Sequence, residues 1–210
     1  MGERVLQIGG IVDSLSHTRV DYALEKCRSS YALDANVALS SMGTVLSHGR
    51  DSQDDILSKL DGLKKTIYKS TIKEMLYVVK NGNPGKHLDL LIPEFSERFK
   101  RAFDNENTRI VMNPDSYDSV MYALEKSDRK AADSIGGMRD MLGDYDCLLV
   151  AQAFIESNTV YSYDKHVVAL CELVGVGNTD GKCLSSSFSG SWEPSTGVGY
   201  GNFVMKKPRK

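Results

Sequence analysis

The chain has 210 residues, of which 41% are hydrophobic and 26% charged, close to the average of soluble globular proteins. This composition excludes a wholly disordered chain, a collagen-like fibre and a disulfide-rich miniprotein, and the length predicts one domain with extensions or two small domains. Lys and Arg number 26 against 28 Asp and Glu, a formal net charge of −2. Any nucleic-acid partner must therefore be bound by local basic patches.

The cysteines and the N-terminal sequence indicate the cellular compartment of the protein. The four cysteines form no Cys-x-x-Cys pair and have no histidine at metal-ligand spacing, which is typical of reduced thiols in the cytosol. The N-terminus lacks the pattern of a signal peptide, and no apolar stretch reaches the roughly 18 residues that span a bilayer. We therefore expect a cytoplasmic protein without membrane contact.

Residues 1–30 are predicted to form a helical N-terminal arm that covers part of the core. Val20, Ala23, Leu24 and Cys27 follow the i, i+3, i+4, i+7 spacing that places side chains on one face of a helix.

From residue 31 to 176, predicted strands alternate with predicted helices, which indicates an α/β domain built on a parallel sheet. Strands are predicted at an apolar run that ends at Asp34, at 108–112 and at 159–163. Helices are predicted at 51–66, at 70–79, at 86–104 with Pro93 interrupting or starting it, from a cap at Asp115 or Ser116, at 146–155 and at 165–174. A loop is predicted at Gly136-Gly137, before 138–142.

Residues 177–210 are rich in Gly and Ser and end in a basic tip. We expect a loop-rich extension whose tip either binds the backbone of a nucleic acid or only aids solubility. The candidate contacts to nucleic acid are one residue of the domain and four of the tip, namely Lys165, Lys206, Lys207, Arg209 and Lys210.

Four carboxylates occupy similar places in the predicted fold. Asp34 and Asp164 end predicted strands, Asp146 begins an apolar helix, and Glu74 lies in the first turns of another helix. Because carboxyl ends of parallel strands share one edge of a sheet, these groups could converge on one cleft. Oxygen-only ligands select hard ions such as Mg²⁺ or Mn²⁺, although Asp146 and Asp164 could instead serve as helix caps.

At these positions the sequence resembles the successive motifs of PIN domains, metal-dependent nucleases that are mostly ribonucleases. The resemblance covers roughly residues 31–174, and its most specific feature is the interval of 18 residues between Asp146 and Asp164. It implies a three-layer α/β/α fold with a central, mainly parallel sheet. It also implies that Mg²⁺ or Mn²⁺ is held by the motif residues Asp34, Glu74, Asp146 and Asp164.

The motifs also depart from the family pattern. Ala35 replaces the Thr or Ser that usually follows the first Asp, whereas Asn36 and Ser162 keep the polar character of their positions. Asn36 and Ser162 are predicted to orient the metal-binding carboxylates. Asp144 lies two residues before Asp146, so either carboxylate could face the metal; the spacing favours Asp146, with Asp144 as a supporting or surface residue.

The resemblance therefore implies a divalent-metal-dependent endoribonuclease that hydrolyses RNA phosphodiester bonds. Two alternatives stay open: a catalytically weak PIN-like module that binds RNA or a protein, and a structure-specific DNA nuclease. A toxin paired with an antitoxin protein, a role in RNA processing and a homodimer are all compatible with the sequence. An antitoxin-like reading frame immediately upstream would favour the toxin.

Overall fold

The computed structural model describes residues 7–22, 30–43, 60 and 62–176, together with the backbone of residues 2–6, 184–186 and 203–206. In this part of the chain eight helices accompany a five-stranded parallel sheet and a two-stranded antiparallel one. The strands are β1 (Arg19–Asp21), β2 (Tyr31–Leu33), β3 (Lys65–Tyr68), β4 (Thr108–Val111), β5 (Thr159–Tyr161), β6 (Leu184–Ser186) and β7 (Phe203–Lys206). The helices are α1 (Gly2–Asp13), α2 (Ala35–Ser41), α3 (Lys69–Asn81), α4 (Leu88–Phe103), α5 (Tyr117–Ser127), α6 (Arg129–Leu142), α7 (Asp144–Glu156) and α8 (Lys165–Val174).

The predicted α/β fold is confirmed, with the large sheet ordered β1-β4-β3-β2-β5 and all of its strands parallel. From β2 the chain proceeds through β3 to β4 on one side and then returns to place β5 on the other side of β2. The direction in which successive strands are added to the sheet therefore reverses between β2 and β5, while all strands stay parallel. In open α/β sheets, the crevice beyond the carboxyl ends of the strands at such a reversal is where ligands bind.

Both faces of the large sheet are covered, which makes the fold three-layered. Successive strand residues point to opposite faces, so that Leu33 and Ile110 pack into one core while Ala32 and Val111 pack into the other. The first core receives α1, α2, α3 and α4, and the second receives α5, α6, α7 and α8. Because both faces of the sheet are covered, β3, β4 and β5 are buried along their whole length, although β3 and β4 begin with polar residues.

At the amino edge of the sheet, a buried polar network joins several strands. The Arg109 guanidinium binds both carboxylate oxygens of Glu156 at 2.9 Å. Asn158 donates to Glu156 and to the Tyr68 hydroxyl, at 2.9 Å each, and its side-chain oxygen accepts from Ser30 at 3.1 Å. Since every member has a partner of suitable charge or polarity, the network stabilises strand register instead of leaving a buried charge unpaired.

Several predicted elements are corrected by the structure. Val20 lies in β1 and pairs with Ile110 of β4, so the helix predicted to begin there is wrong, while Ala23, Leu24 and Cys27 lie outside the described residues. Gly136 and Gly137 lie inside α6 rather than in a loop. The helix predicted to end at Thr66 overruns β3, and residues 51–59 of that helix lie outside the described residues.

The C-terminal extension contributes β6 and β7, which pair with each other in antiparallel fashion. Lys206 ends β7, whereas Lys207, Arg209 and Lys210 lie outside the described residues. Cys147 and Cys171 are buried, and neither forms a disulfide bond. Within the described ranges, no helix has both the length and the apolar character needed to cross a membrane.

Candidate metal centre

The carboxyl edge of the sheet places three acidic side chains at the reversal point. Asp34 follows β2 and precedes α2, Glu74 lies in the second turn of α3, and Asp146 lies in the first turn of α7. One carboxylate oxygen from each of the three lies within 4.8 Å of the other two. Three residues separated by long stretches of sequence thus converge on a single point.

The Asp34 carboxylate is nearly inaccessible to solvent, and two side chains orient it. Asp34 is 2% exposed. Its Oδ2 accepts a hydrogen bond from Asn36 Nδ2 at 2.9 Å and another from the Ser162 hydroxyl. The backbone N–H of Asp164 donates to the same hydroxyl oxygen at 2.8 Å, which leaves the hydroxyl proton directed at Asp34. Ser162 therefore holds Asp34 in one orientation.

Burial and mutual repulsion raise the pKa values of Asp34, Glu74 and Asp146. Burial, followed by repulsion from Asp34, Asp146 and Asp164, raises the pKa of Glu74 to about 9. Burial, followed by the charges of Asp34 and Asp164, raises the pKa of Asp146 to about 7. The pKa of Asp34 is raised to about 6, chiefly by burial, although the hydrogen bond from Ser162 opposes this shift. Without a cation, the cluster therefore retains protons at neutral pH.

Asp164 lies at the rim of this cluster and has a second task. Its Oδ1 accepts the backbone N–H of His166 at 2.7 Å and so caps the first turn of α8. The His166 imidazole lies 3.2 Å from the same oxygen, and the Asp164 side chain is 41% exposed. The structure thus groups Asp34, Glu74 and Asp146, and leaves Asp164 outside that group but close enough to raise the pKa of each.

The Asp144 carboxylate is engaged away from the group of three. Its two oxygens accept hydrogen bonds from the Arg139 guanidinium at 2.6 Å and 3.2 Å. The same guanidinium lies over the Tyr117 ring, 3.9 Å from its centroid. Asp144 and Asp146, two residues apart on α7, therefore have different partners. Lys165, the first residue of α8, is exposed beside Asp164.

Two features beside the cluster were missed by sequence reasoning. Asp115 accepts Lys73 Nζ at 2.7 Å and Lys69 Nζ at 3.0 Å. Gln152, fully buried in α7, accepts from the Ser70 hydroxyl and donates to the Pro114 carbonyl, at 2.9 Å each. A single amide within an otherwise apolar helix was a usable signal for Gln152. The lysine contacts depend on tertiary packing and had no such signal.

Compared with models of known protein families, the sequence matches none, and the comparison with curated proteins returns no match. Three carboxylates in a partly buried cleft provide an all-oxygen ligand set, which suits a hard divalent cation. A bound cation would also relieve the repulsion that raises the pKa values of the cluster.

Proposed function

We propose that the protein is a divalent-metal-dependent nuclease of the PIN-like type, acting as an endoribonuclease. The observation that carries the proposal is the group of Asp34, Glu74 and Asp146, whose carboxylate oxygens lie within 4.8 Å of one another. The position of this group at the reversal point of a parallel sheet supports a ligand-binding role. The preference for RNA rests on the sequence resemblance to PIN domains.

The ligand set is compatible with Mg²⁺ or Mn²⁺. Asp34, Glu74 and Asp146, with one oxygen each within 4.8 Å of the other two, are the residues that would hold such an ion, since hard divalent cations take oxygen ligands. When bound, such an ion supplies an activated water and stabilises the negative charge that develops on a phosphate under attack.

The chain's own residues have distinct tasks in this proposal. Asp34, Glu74 and Asp146 would hold the cation through their carboxylates. Replacing either Asp with Asn would remove one negative charge from this ligand set. Asp164 adds negative field at the rim and fixes the start of α8. Ser162 and Asn36 hold the Asp34 carboxylate in one orientation by hydrogen bonds, with or without a bound cation.

A catalytically weak module that binds RNA or a protein is the second candidate. Ala35 favours it, because this buried side chain has no hydroxyl at the position where PIN domains usually carry Thr or Ser. In that case the acidic group would bind a cation for structural reasons, and cleavage would be absent while nucleic-acid binding remained.

The deciding experiment compares two neighbouring aspartates of α7 in a nuclease assay. Cleavage of single-stranded and structured RNA and DNA is measured in EDTA, Mg²⁺ and Mn²⁺ for the wild type, Asp146→Asn and Asp144→Asn. We expect metal-dependent RNA cleavage that falls at least about 100-fold in Asp146→Asn, since a ligand charge is lost. Asp144→Asn removes the same charge beside Arg139 and should stay within about threefold of wild type.

Three outcomes would contradict the proposal in different ways. Full activity in EDTA would exclude the metal mechanism. Cleavage of DNA alone would favour the structure-specific DNA nuclease. RNA binding without cleavage in any metal would favour the weak module.

A further inference from the structure

A cavity of about 550 Å³ lies between α1, α3 and the segment that follows β4, and its lining includes sequence neighbours of the acidic group formed by Asp34, Glu74 and Asp146. Two sequence neighbours connect it to the group: Lys73 lines the cavity and precedes Glu74, and Tyr145 lines it and precedes Asp146. The cavity thus occupies adjacent faces of the same two helices that present acidic ligands. Its volume falls within the roughly 300–1,000 Å³ of small-molecule sites.

The cavity wall combines apolar surface with aromatic rings. Ile8 and Leu76 are buried and line the cavity, and Leu88 lines it from the start of α4. Tyr77 and Tyr145 add two aromatic rings. A flat apolar group can be buried against such a wall, and stacking on tyrosine is the usual way in which proteins bind an unpaired nucleobase.

The charged groups of the cavity are predominantly positive. Lys69, Lys73 and Lys80 line it together with one carboxylate, that of Asp115. Asp115 contacts Lys69 and Lys73 through a single oxygen, at 3.0 Å and 2.7 Å. Because an ammonium group has three N–H donors, one contact to Asp115 leaves further donors for an anion. Asp115 therefore holds two ammonium groups side by side, and the cavity has an excess of positive charge.

We propose that this cavity binds an unpaired nucleotide of a nucleic-acid strand, with its base against Tyr77 or Tyr145 and its phosphate at Lys69 and Lys73. The inference rests on the proposed nuclease function, because it places the nucleotide beside the phosphodiester to be cut. A base held in a duplex cannot enter a cavity of this kind.

Binding is tested without cleavage, on the full chain carrying Asp146→Asn in EDTA. The probe is a short, fluorescently labelled, single-stranded oligoribonucleotide, and its affinity is measured by anisotropy over a range of salt concentrations. Tyr77→Ala is compared with Tyr122→Ala, because the two side chains are similarly exposed, at 58% and 60%, and Tyr122 lies on α5 away from the cavity. Lys73→Gln is compared with Lys100→Gln, an exposed lysine of α4 that does not line the cavity.

We expect Tyr77→Ala to weaken binding at least about fivefold through lost stacking. Lys73→Gln should weaken it and reduce the salt slope by about 0.7, the value for one phosphate contact on a single strand. Both control variants should stay within about twofold of the parent. Equal effects of Lys73→Gln and Lys100→Gln would overturn the proposal, because binding would then depend on the overall positive charge of the protein and not on the cavity.

Competition identifies the ligand. A nucleoside monophosphate should displace the oligonucleotide, more weakly than an unlabelled oligonucleotide does, and inorganic phosphate should displace it least. A monophosphate that binds as tightly as the oligonucleotide would make this a site for free nucleotides and overturn the assignment to a strand. Phosphate that competes as well as the monophosphate would leave a simple anion site, which also overturns it.

The two proposals fail separately. Metal-dependent cleavage with an unchanged KM and affinity in Tyr77→Ala and Lys73→Gln would overturn the cavity assignment and leave the nuclease intact. Weakened binding in both variants, without any nuclease activity in the wild type, would support the cavity and overturn the proposed function.

Discussion

The Ser162 hydroxyl is the smallest feature that orients the candidate metal centre. It accepts the backbone N–H of Asp164 and donates to the Asp34 carboxylate, and thus joins the end of β5 to the end of β2. Asn36 adds a second donor to the same Asp34 oxygen at 2.9 Å. Loss of such a hydrogen bond to a metal-binding carboxylate typically lowers metal affinity or activity by about 10–100-fold.

Ser162→Ala should therefore weaken Mn²⁺ binding by about 10–100-fold, as measured by isothermal titration calorimetry, while the fold is retained. Ser162→Thr keeps the hydroxyl and should restore most of the affinity. Ser30→Ala is the matched control, because Ser30 is also buried but lies at the amino edge, where its hydroxyl contacts Asn158. The control should cost about 1 kcal/mol of stability without a change in Mn²⁺ affinity. Equal Mn²⁺ affinity in Ser162→Ala and wild type would refute this role.

The residues that end strands could be predicted from sequence, whereas their neighbours across the site could not. An apolar run followed by Asp indicates a strand end at Asp34, and an apolar helix that begins at Asp146 places that residue at the same edge of a parallel sheet. The ion contacts of Asp115 with Lys69 and Lys73 depend on how α3 meets the segment after β4. No residue spacing in the sequence predicts these contacts. Likewise, the sequence could not show that Asp144 pairs with Arg139.

At the scale of elements, the strongest sequence signals were those of the buried helices and strands. The apolar segment of α7 is where the pattern predicted it. Of the two predicted caps for α5, Asp115 and Ser116, the structure has Ser116, whose hydroxyl accepts the Ser119 N–H. β3 was missed because four residues that begin with lysine offer little pattern, although Lys65 is buried and donates to the Leu60 and Leu63 carbonyls.

The glycine pair of α6 shows how packing overrides local preference. Glycine costs about 1 kcal/mol relative to alanine inside a helix, so Gly136-Gly137 favours a loop when it is judged locally. In the structure, the flanking Ala132 and Ile135 are buried in the second core and hold α6 in place. The two glycines are exposed, and no atom lies within 4 Å of a Cβ built on either.

Gly136→Ala and Gly137→Ala should therefore each stabilise the protein by about 0.5–1 kcal/mol, measured by urea denaturation. The proposed nuclease activity should not change, because neither residue belongs to the candidate site. Gly143→Ala is the contrasting variant, since Gly143 has φ +89° at the start of α7, where a side chain is strained. Gly143→Ala should destabilise. Destabilisation by Gly136→Ala would contradict this prediction, since no atom of the described residues lies close enough to a Cβ at this position to clash with it.

At the scale of the whole molecule, the acidic group links stability to pH and to metal. The pKa values of Asp34, Asp146 and Glu74 are raised to about 6, 7 and 9, chiefly by burial. The folded state therefore binds more protons than the unfolded state once the pH exceeds the ordinary carboxyl values near 4. The stabilisation from these protons is complete below that pH and is lost as the pH rises through the folded-state values.

In EDTA, this contribution to the free energy of unfolding should therefore fall between pH 5 and pH 9. Each excess proton on the folded state contributes a slope of about 1.4 kcal/mol per pH unit. Glu74→Gln removes the group with the highest pKa, so the variant should show a flatter decline and a higher melting temperature than wild type at pH 8. Glu94→Gln, at an exposed residue of α4, is the control and should follow the wild-type profile.

Saturating Mn²⁺ should reverse this dependence, because the ion binds the deprotonated carboxylates of the folded state and releases their protons. The gain in melting temperature on adding Mn²⁺ should thus grow from pH 6 to pH 9 in the wild type and shrink in Glu74→Gln. Scanning calorimetry at matched ionic strength measures both profiles. A gain that is independent of pH, or equal in wild type and Glu74→Gln, would show that Mn²⁺ stabilises the chain at some place other than the group of Asp34, Glu74 and Asp146.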